Sequence, residues 1–356
     1  MTIISGGHAM SFKITRRKFI ATSTTFTAGT ALYGTAWAQT VNPFMGPFTK
    51  EATGELVTEG IDLKGKTVLI TGANSGLGFE TMRVLTMRGA HVIAVARTMQ
   101  KAKDACAKVK GETTPAICEL TDFASVVECA DTVKAMNVPI DVLLCNAGIM
   151  ELPELQKVNG IEKQFVVNYL GHYILTNQLI DRVNEAKQGR VVMMSSGRYK
   201  NAPPEGIEFD NLSGDKGYDP LTAYGQSKLA DALFAQELSR RLGGTNTTSN
   251  SVLPGIIYTN LGRHYPKWKL LLSDVIGWTF MRSVEAGVAT GCYVATNPKL
   301  SKVSGHMFSN CNPITPDGPH MADRELATRL WNVSVELTAP YLVQSKTWQK
   351  NAVPVA

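Results

Sequence analysis

Tyr224 and Lys228 stand four residues apart in Tyr224-Gly225-Gln226-Ser227-Lys228. On a helix that spacing puts both side chains on one face. A free phenol has a pKa of about 10 and is a poor base at neutral pH. A neighbouring ammonium favours the phenolate and brings proton transfer into the working range. Such a pair can give a proton to a carbonyl oxygen or take one from an alcohol. Taken alone, it is equally a solvated i,i+4 contact on a surface helix, worth about 0.2–0.5 kcal/mol.

The elements around the pair decide between these readings. Thr67-Val68-Leu69-Ile70-Thr71 reads as an apolar strand running into Gly72-Ala73-Asn74-Ser75-Gly76-Leu77-Gly78, with a helical segment to about Arg88. Strand, glycine turn and helix in that order bring backbone N–H groups to a pyrophosphate at the helix N-terminus. A glycine pattern without that context is an ordinary strand-to-helix turn. The second strand, His91 to Ala96, ends at Arg97. A carboxylate there would hold a ribose 2′-hydroxyl, whereas an arginine suits a 2′-phosphate. The expected cofactor is therefore NADP rather than NAD; the competing reading is a surface arginine capping a loop.

A third strand, Ala116-Ile117-Cys118, leads into Glu119-Leu120-Thr121-Asp122. A fourth, Ile140 to Cys145, leads into Asn146-Ala147-Gly148. Strands separated by helix-length segments predict an α/β fold: a Rossmann-type doubly wound parallel sheet with helices on both faces, in a single domain.

With these motifs in place, the sequence resembles the short-chain dehydrogenase/reductase family over about residues 60–338. Thr71-Gly72 with Gly76 and Gly78 matches its T-G-x-x-x-G-x-G turn, and Asn146-Ala147-Gly148 its N-A-G segment. Asn168 matches its helix asparagine, Ser196 follows the strand Val191 to Ser195, and Tyr224 and Lys228 match Y-x-x-x-K. Pro254-Gly255 with Thr259 matches the segment beside the nicotinamide. Within the family the sequence is similar to the retinol-dehydrogenase-like group, through Ile207 to Leu212, Ser227-Lys228-Leu229-Ala230, Ser283 to Gly287 and Leu330 to Ser334. It departs at Glu119, where the family usually has an Asp for the adenine amino group, and at Leu253, where this group often has a His.

The resemblance implies a catalytic set of Asn168, Ser196, Tyr224 and Lys228. Ser196 would hydrogen-bond the substrate oxygen, Lys228 would also hold the nicotinamide ribose, and Asn168 would position a water linking Lys228 to solvent. Ser195 is expected to be structural. The implied cofactor contacts are Gly72, Asn74, Ser75, Gly76, Leu77, Gly78, Arg97, Glu119, Leu120, Asn146, Ala147, Gly148, Tyr224, Lys228, Pro254, Gly255 and Thr259. Homo-oligomers are common in the family.

The N-terminus has a different character. Thr15-Arg16-Arg17-Lys18-Phe19-Ile20 closely resembles a twin-arginine consensus. A hydroxyl-rich, mildly apolar stretch follows to Tyr33 and ends at Ala36-Trp37-Ala38, an A-x-A cleavage signal before Gln39. A bilayer span needs about 20 strongly apolar residues, which this stretch lacks. The expectation is a periplasmic or otherwise exported protein, carried folded by the twin-arginine machinery. The predicted organisation is a signal at 1–38, an extended arm at 39–60, the main domain at 61–345 and a tail at 346–356.

The formal net charge of +6 sits largely in that leader. Its four basic residues, removed from the 36, leave 32 against 30 acidic ones, so no nucleic-acid footprint is expected. The six cysteines and six histidines lack metal-ligand spacing, and no metal is expected. Residues 261–281 are rich in large apolar side chains, including Trp268, Leu271, Trp278 and Phe280. They read as an apolar lid over a hydrophobic substrate, or alternatively as a membrane or subunit contact.

The leading functional reading is an NADP(H)-dependent reductase or dehydrogenase acting on a hydrophobic carbonyl or alcohol. An NADP-binding sensor or interaction protein without turnover and a double-bond reductase of the protochlorophyllide reductase type are the alternatives.

Overall fold

Apolar runs that alternate sides build the centre of the molecule. In β1 (Thr67–Thr71), Val68 and Ile70 enter the core on one face of a sheet and Leu69 enters the core on the other. Strands buried on both faces read as near-continuous apolar segments, which is why these were legible. The computed structural model describes residues 46–255, 257, 282–318, 320–343 and 345–350. All of these belong to one compact unit.

The remaining strands of the main sheet are β2 (His91–Ala96), β3 (Thr113–Ile117), β4 (Val142–Cys145), β5 (Arg190–Met194), β6 (Thr248–Leu253), β7 (Met307–Ser309) and β8 (Asn312–Ile314). Their spatial order is β8-β7-β6-β5-β4-β1-β2-β3. Every neighbouring pair is parallel except β7 with β8. From β1 the chain builds outward through β2 and β3, then returns to place β4 on the other side of β1, in the register Leu69↔Leu143. That reversal opens a crevice at the C-terminal ends of β1 and β4, the place where open α/β sheets bind ligands.

Helices cover both faces, as expected. On one side α1 (Gly76–Met87) and α6 (Ala289–Thr296) bury Met82, Leu85 and Cys292 against Ile70, Val92 and Leu144. On the other, α3 (Phe123–Ala135), α4 (Gly171–Asn184) and α5 (Pro220–Arg241) bury Val126, Ile174 and Leu233 against Leu69, Ile93 and Leu143. The short helix α2 (Met99–Cys106) joins β2 to β3, and α7 (Arg324–Thr338) lays Leu330 and Trp331 into the second core.

Several boundaries differ from the sequence reading, β4 beginning at Val142 rather than Ile140 among them. β3 begins at Thr113 rather than Ala116, because it is the sheet edge, where polar residues and Pro115 are tolerated. The described part of the expected arm is not simply extended: Gly54–Val57 forms a helical turn, with Ala52 and Val57 buried. The expected tail likewise begins with a packed helical turn, Lys346–Lys350, whose Trp348 meets Trp331 edge-on and donates to Asn177. In both flanks the apolar side chains find core surface to cover. The twin-arginine motif, the A-x-A site and residues 261–281 lie outside the described residues.

Candidate active site

The glycine turn closes over the crevice. Gly72 and Gly76 hold φ of +67° and +54°, the left-handed region that glycine enters without steric cost. A Cβ on Gly78 would lie 2.3 Å from the Gly72 carbonyl oxygen and 2.6 Å from Asn146 Nδ2, so α1 can approach the turn only with hydrogen there. Ser75 precedes α1 without capping it through its side chain, which leaves the first N–H groups of the helix available. Asn74 and Gly76 are half-buried, Ser75 is exposed, and Leu77 is buried as packing.

Asn146 ties the turn to β4. Its Nδ2 donates to the Thr71 carbonyl at 2.8 Å, while the N–H groups of Asn146 and Ala147 donate to Thr71 Oγ1 at 2.9 and 3.0 Å. Gly148 then passes beside the catalytic candidates: a Cβ there would be 3.1 Å from Asn168 Oδ1 and 3.7 Å from Lys228 Nζ.

Asn168 occupies a π-helical turn, Val166–Leu170, a distortion frequent at functional sites. Its amide accepts from the Ile149 N–H at 2.8 Å and donates to the Ile149 carbonyl at 3.0 Å and Ser227 Oγ at 2.9 Å. Ser227 Oγ passes its own hydrogen to the Tyr224 carbonyl at 2.7 Å. Asn168 therefore pins the segment after Gly148 to the helix that carries Tyr224 and Lys228.

That helix, α5, starts on Asp219, whose carboxylate accepts from the Thr222 N–H at 2.7 Å, with Pro220 in the first turn. Tyr224 and Lys228 are both buried, and Nζ lies 5.8 Å from the Tyr224 ring centroid. Lys228 Nζ donates to the Met194 carbonyl and to Asp231 Oδ2, each at 2.9 Å. An ammonium has three N–H donors, so a third remains for a ligand.

The two serines separate as expected. Ser195 is buried and donates to the Lys228 carbonyl at 2.7 Å, fastening β5 to α5. Ser196 is half-exposed, and its Oγ accepts only from the Arg198 N–H, at 3.2 Å. The turn carrying Ser196 reaches Tyr224 because Gly225 has no side chain: a Cβ there would meet the backbone of Asn201 and Ala202 at 2.6 and 2.7 Å.

The remaining sequence-predicted residues ring this centre. Arg97 stands exposed just past β2, making no side-chain bond to a described residue. Glu119, half-buried after β3, turns its Oε1 onto the Thr121 N–H and hydroxyl at 3.0 and 2.8 Å. Leu120 is buried against Gly171 and serves packing through its side chain. Pro254 and Gly255 follow β6, with Gly255 at φ +89° against Arg282; Thr259 lies outside the described residues. Asp231, His172 and Gly225 were given no role by the sequence reading, and Thr71 only its place in the glycine motif. Asp231 had a usable signal, an acidic residue i+3 from Lys228 in an otherwise apolar stretch.

A parallel sheet that reverses beside a glycine turn, facing a buried tyrosine–lysine pair, defines a dinucleotide-binding α/β oxidoreductase. Residues 66–270 match the short chain dehydrogenase family model. A Brassica napus protein named short-chain dehydrogenase TIC 32 B, chloroplastic, is 39% identical over 298 residues, covering 80% of this chain and 92% of the relative. Human retinol dehydrogenase 14 is 36% identical over 292 residues, covering 76% and 86%. Among solved structures, an uncharacterised protein of Mycobacterium paratuberculosis is 31% identical, covering 80% of this chain and 97% of that one, with a TM-score of 0.64. The chain belongs to the short-chain dehydrogenase/reductase family.

Proposed function

We propose that the protein is an NADP(H)-dependent oxidoreductase that interconverts a carbonyl and an alcohol on a hydrophobic small molecule, with Tyr224 as proton donor or acceptor. The observation that carries this reading is the buried Tyr224–Lys228 pair, joined through Asn168 to the loop at the sheet's reversal point. The turn from Gly72 to Gly78 fits a pyrophosphate, since Ser75 leaves the first N–H groups of α1 uncapped by its side chain and Gly78 lets that helix close on the turn. Bound there, the nicotinamide would supply or accept the hydride. Tyr224 holds the proton that the substrate oxygen gains or loses, Ser196 Oγ hydrogen-bonds that oxygen, and Lys228 offers its third N–H to the ribose. The apolar alcohol in the name of the human relative agrees with a hydrophobic substrate.

Arg97 supports the 2′-phosphate preference, being exposed and uncommitted where an acidic residue would reject it. Arg97→Asp is expected to weaken NADPH relative to NADH by about ten- to a hundredfold, the range of a charge-assisted hydrogen bond. Steady-state kinetics with both cofactors measure this; an unchanged ratio would remove Arg97 from the reading.

Residues 1–38 are proposed as a twin-arginine signal, on the order of the arginine pair, apolar stretch and A-x-A site. Mass spectrometry of protein recovered from the periplasm should find Gln39 at the N-terminus. Met1 or Met10 intact on the active protein throughout the cell would refute export.

A further inference from the structure

The helix that presents Tyr224 and Lys228 also buries a carboxylate behind them. Asp231 is 1% exposed; its Oδ2 accepts from Lys228 Nζ at 2.9 Å, and its Oδ1 has no hydrogen-bond partner. A charged carboxylate out of water is costly unless a cation answers it. The only acceptors of Lys228 Nζ among the described residues are this carboxylate and the neutral Met194 carbonyl.

We propose that Asp231 is a positioning residue for hydride transfer, the counter-ion that keeps the buried Lys228 ammonium charged and aims its third N–H at the cofactor ribose. This rests on the oxidoreductase reading above. Burial opposes the charged lysine, and Asp231 and Tyr224 together outweigh it, holding the ammonium above its ordinary pKa. Burial in turn raises the Asp231 carboxyl to about 7, with Lys228 opposing the rise.

The other groups facing the pair stay neutral across the useful range. His172, from α4, is lowered to about 4 by burial, with Lys228 adding to the shift. Cys145, from β4, is pushed up to about 12, chiefly by burial, with Thr176 opposing the rise and Asp231 adding to it. Tyr169, in the π-helical turn, is raised well above the usual phenol range by burial.

Asp231→Asn keeps the shape and removes the charge, so burial should then govern Lys228. Its titration is expected to fall by about one pH unit or more. The direct measurement follows the 13Cε shift of Lys228 with pH in lysine-labelled protein, wild type against variant. The activity profile should change in step, with kcat/KM for carbonyl reduction acquiring an alkaline limb below that of the wild type. A lysine midpoint unchanged in the variant overturns the proposal, whether activity is kept or uniformly lowered. A wild type that turns over no carbonyl defeats the functional reading instead, and the lysine titration still decides this one. Should the asparagine variant fail to fold, Asp231→Ser is read in the same way.

Discussion

Tyr224→Phe is expected to lower kcat/KM for NADPH-driven carbonyl reduction by about a thousandfold while leaving the fold and NADPH binding in place. The size of the loss is that of a positioned general acid. The ring is buried, and phenylalanine keeps its shape, so the packing of α5 is retained. The hydroxyl makes no hydrogen bond to a described residue, so its removal orphans no buried partner. Lys228 is held by Met194 and Asp231 rather than by the phenol, and should stay where it is. Turnover at the wild-type level in this variant would exclude Tyr224 as the proton donor.

Acid should weaken the fold through His172. The carbonyl of Asn168 can only accept, so His172 Nδ1 carries the hydrogen of their 2.8 Å bond. Thr71 Oγ1 already receives two backbone N–H groups, so its own hydrogen points to His172 Nε2 at 2.8 Å. Protonating Nε2 would set two hydrogens face to face in a buried site. Burial accordingly lowers the imidazole from its ordinary 6.5 to about 4. A histidine with a depressed folded pKa contributes stability that is present above the unfolded value and lost as pH falls toward the folded one. The loss between pH 6.5 and pH 4 is about 3 kcal/mol. Urea unfolding at intervals across that window measures it, with His172→Gln as the reference. An equally steep decline in the glutamine variant would show that other groups carry the acid sensitivity. The bonds in question join β1 to the Asn168 turn, so acid would loosen the cofactor platform first.

The fold was legible where burial is two-sided. β1 and β2 are continuous apolar runs between turn residues, and their ends coincide with the sequence reading. Where one side is open, composition misled: β3 admits two threonines and a proline. The β7–β8 hairpin is built from strands of three residues each, too short to leave a period. In the site, residues inside contiguous motifs were found because spacing along one helix or turn places them. Asp231, His172 and Gly225 act on partners that only the folded chain brings near, or through the lack of a side chain. The arginine at the end of β2 drew attention for the opposite reason, since its proposed role follows from its position in a known turn order.

The bridge between Ile257 and Arg282 carries a consequence for how such an enzyme diversifies. It holds the two chain positions that flank residues 258–281 together at a narrow neck. Ile257 is seated against Gly287, and Arg282 lies against Gly255 and bonds to the Asn310 side chain. With its ends already joined by the domain, an insert of almost any length adds little closure entropy, since that cost grows only with the logarithm of length. Length changes between these two positions would thus put little strain on the sheet that anchors them. The neck lets the stretch between its two sides vary in length while the sheet and the helix carrying Tyr224 and Lys228 stay as they are.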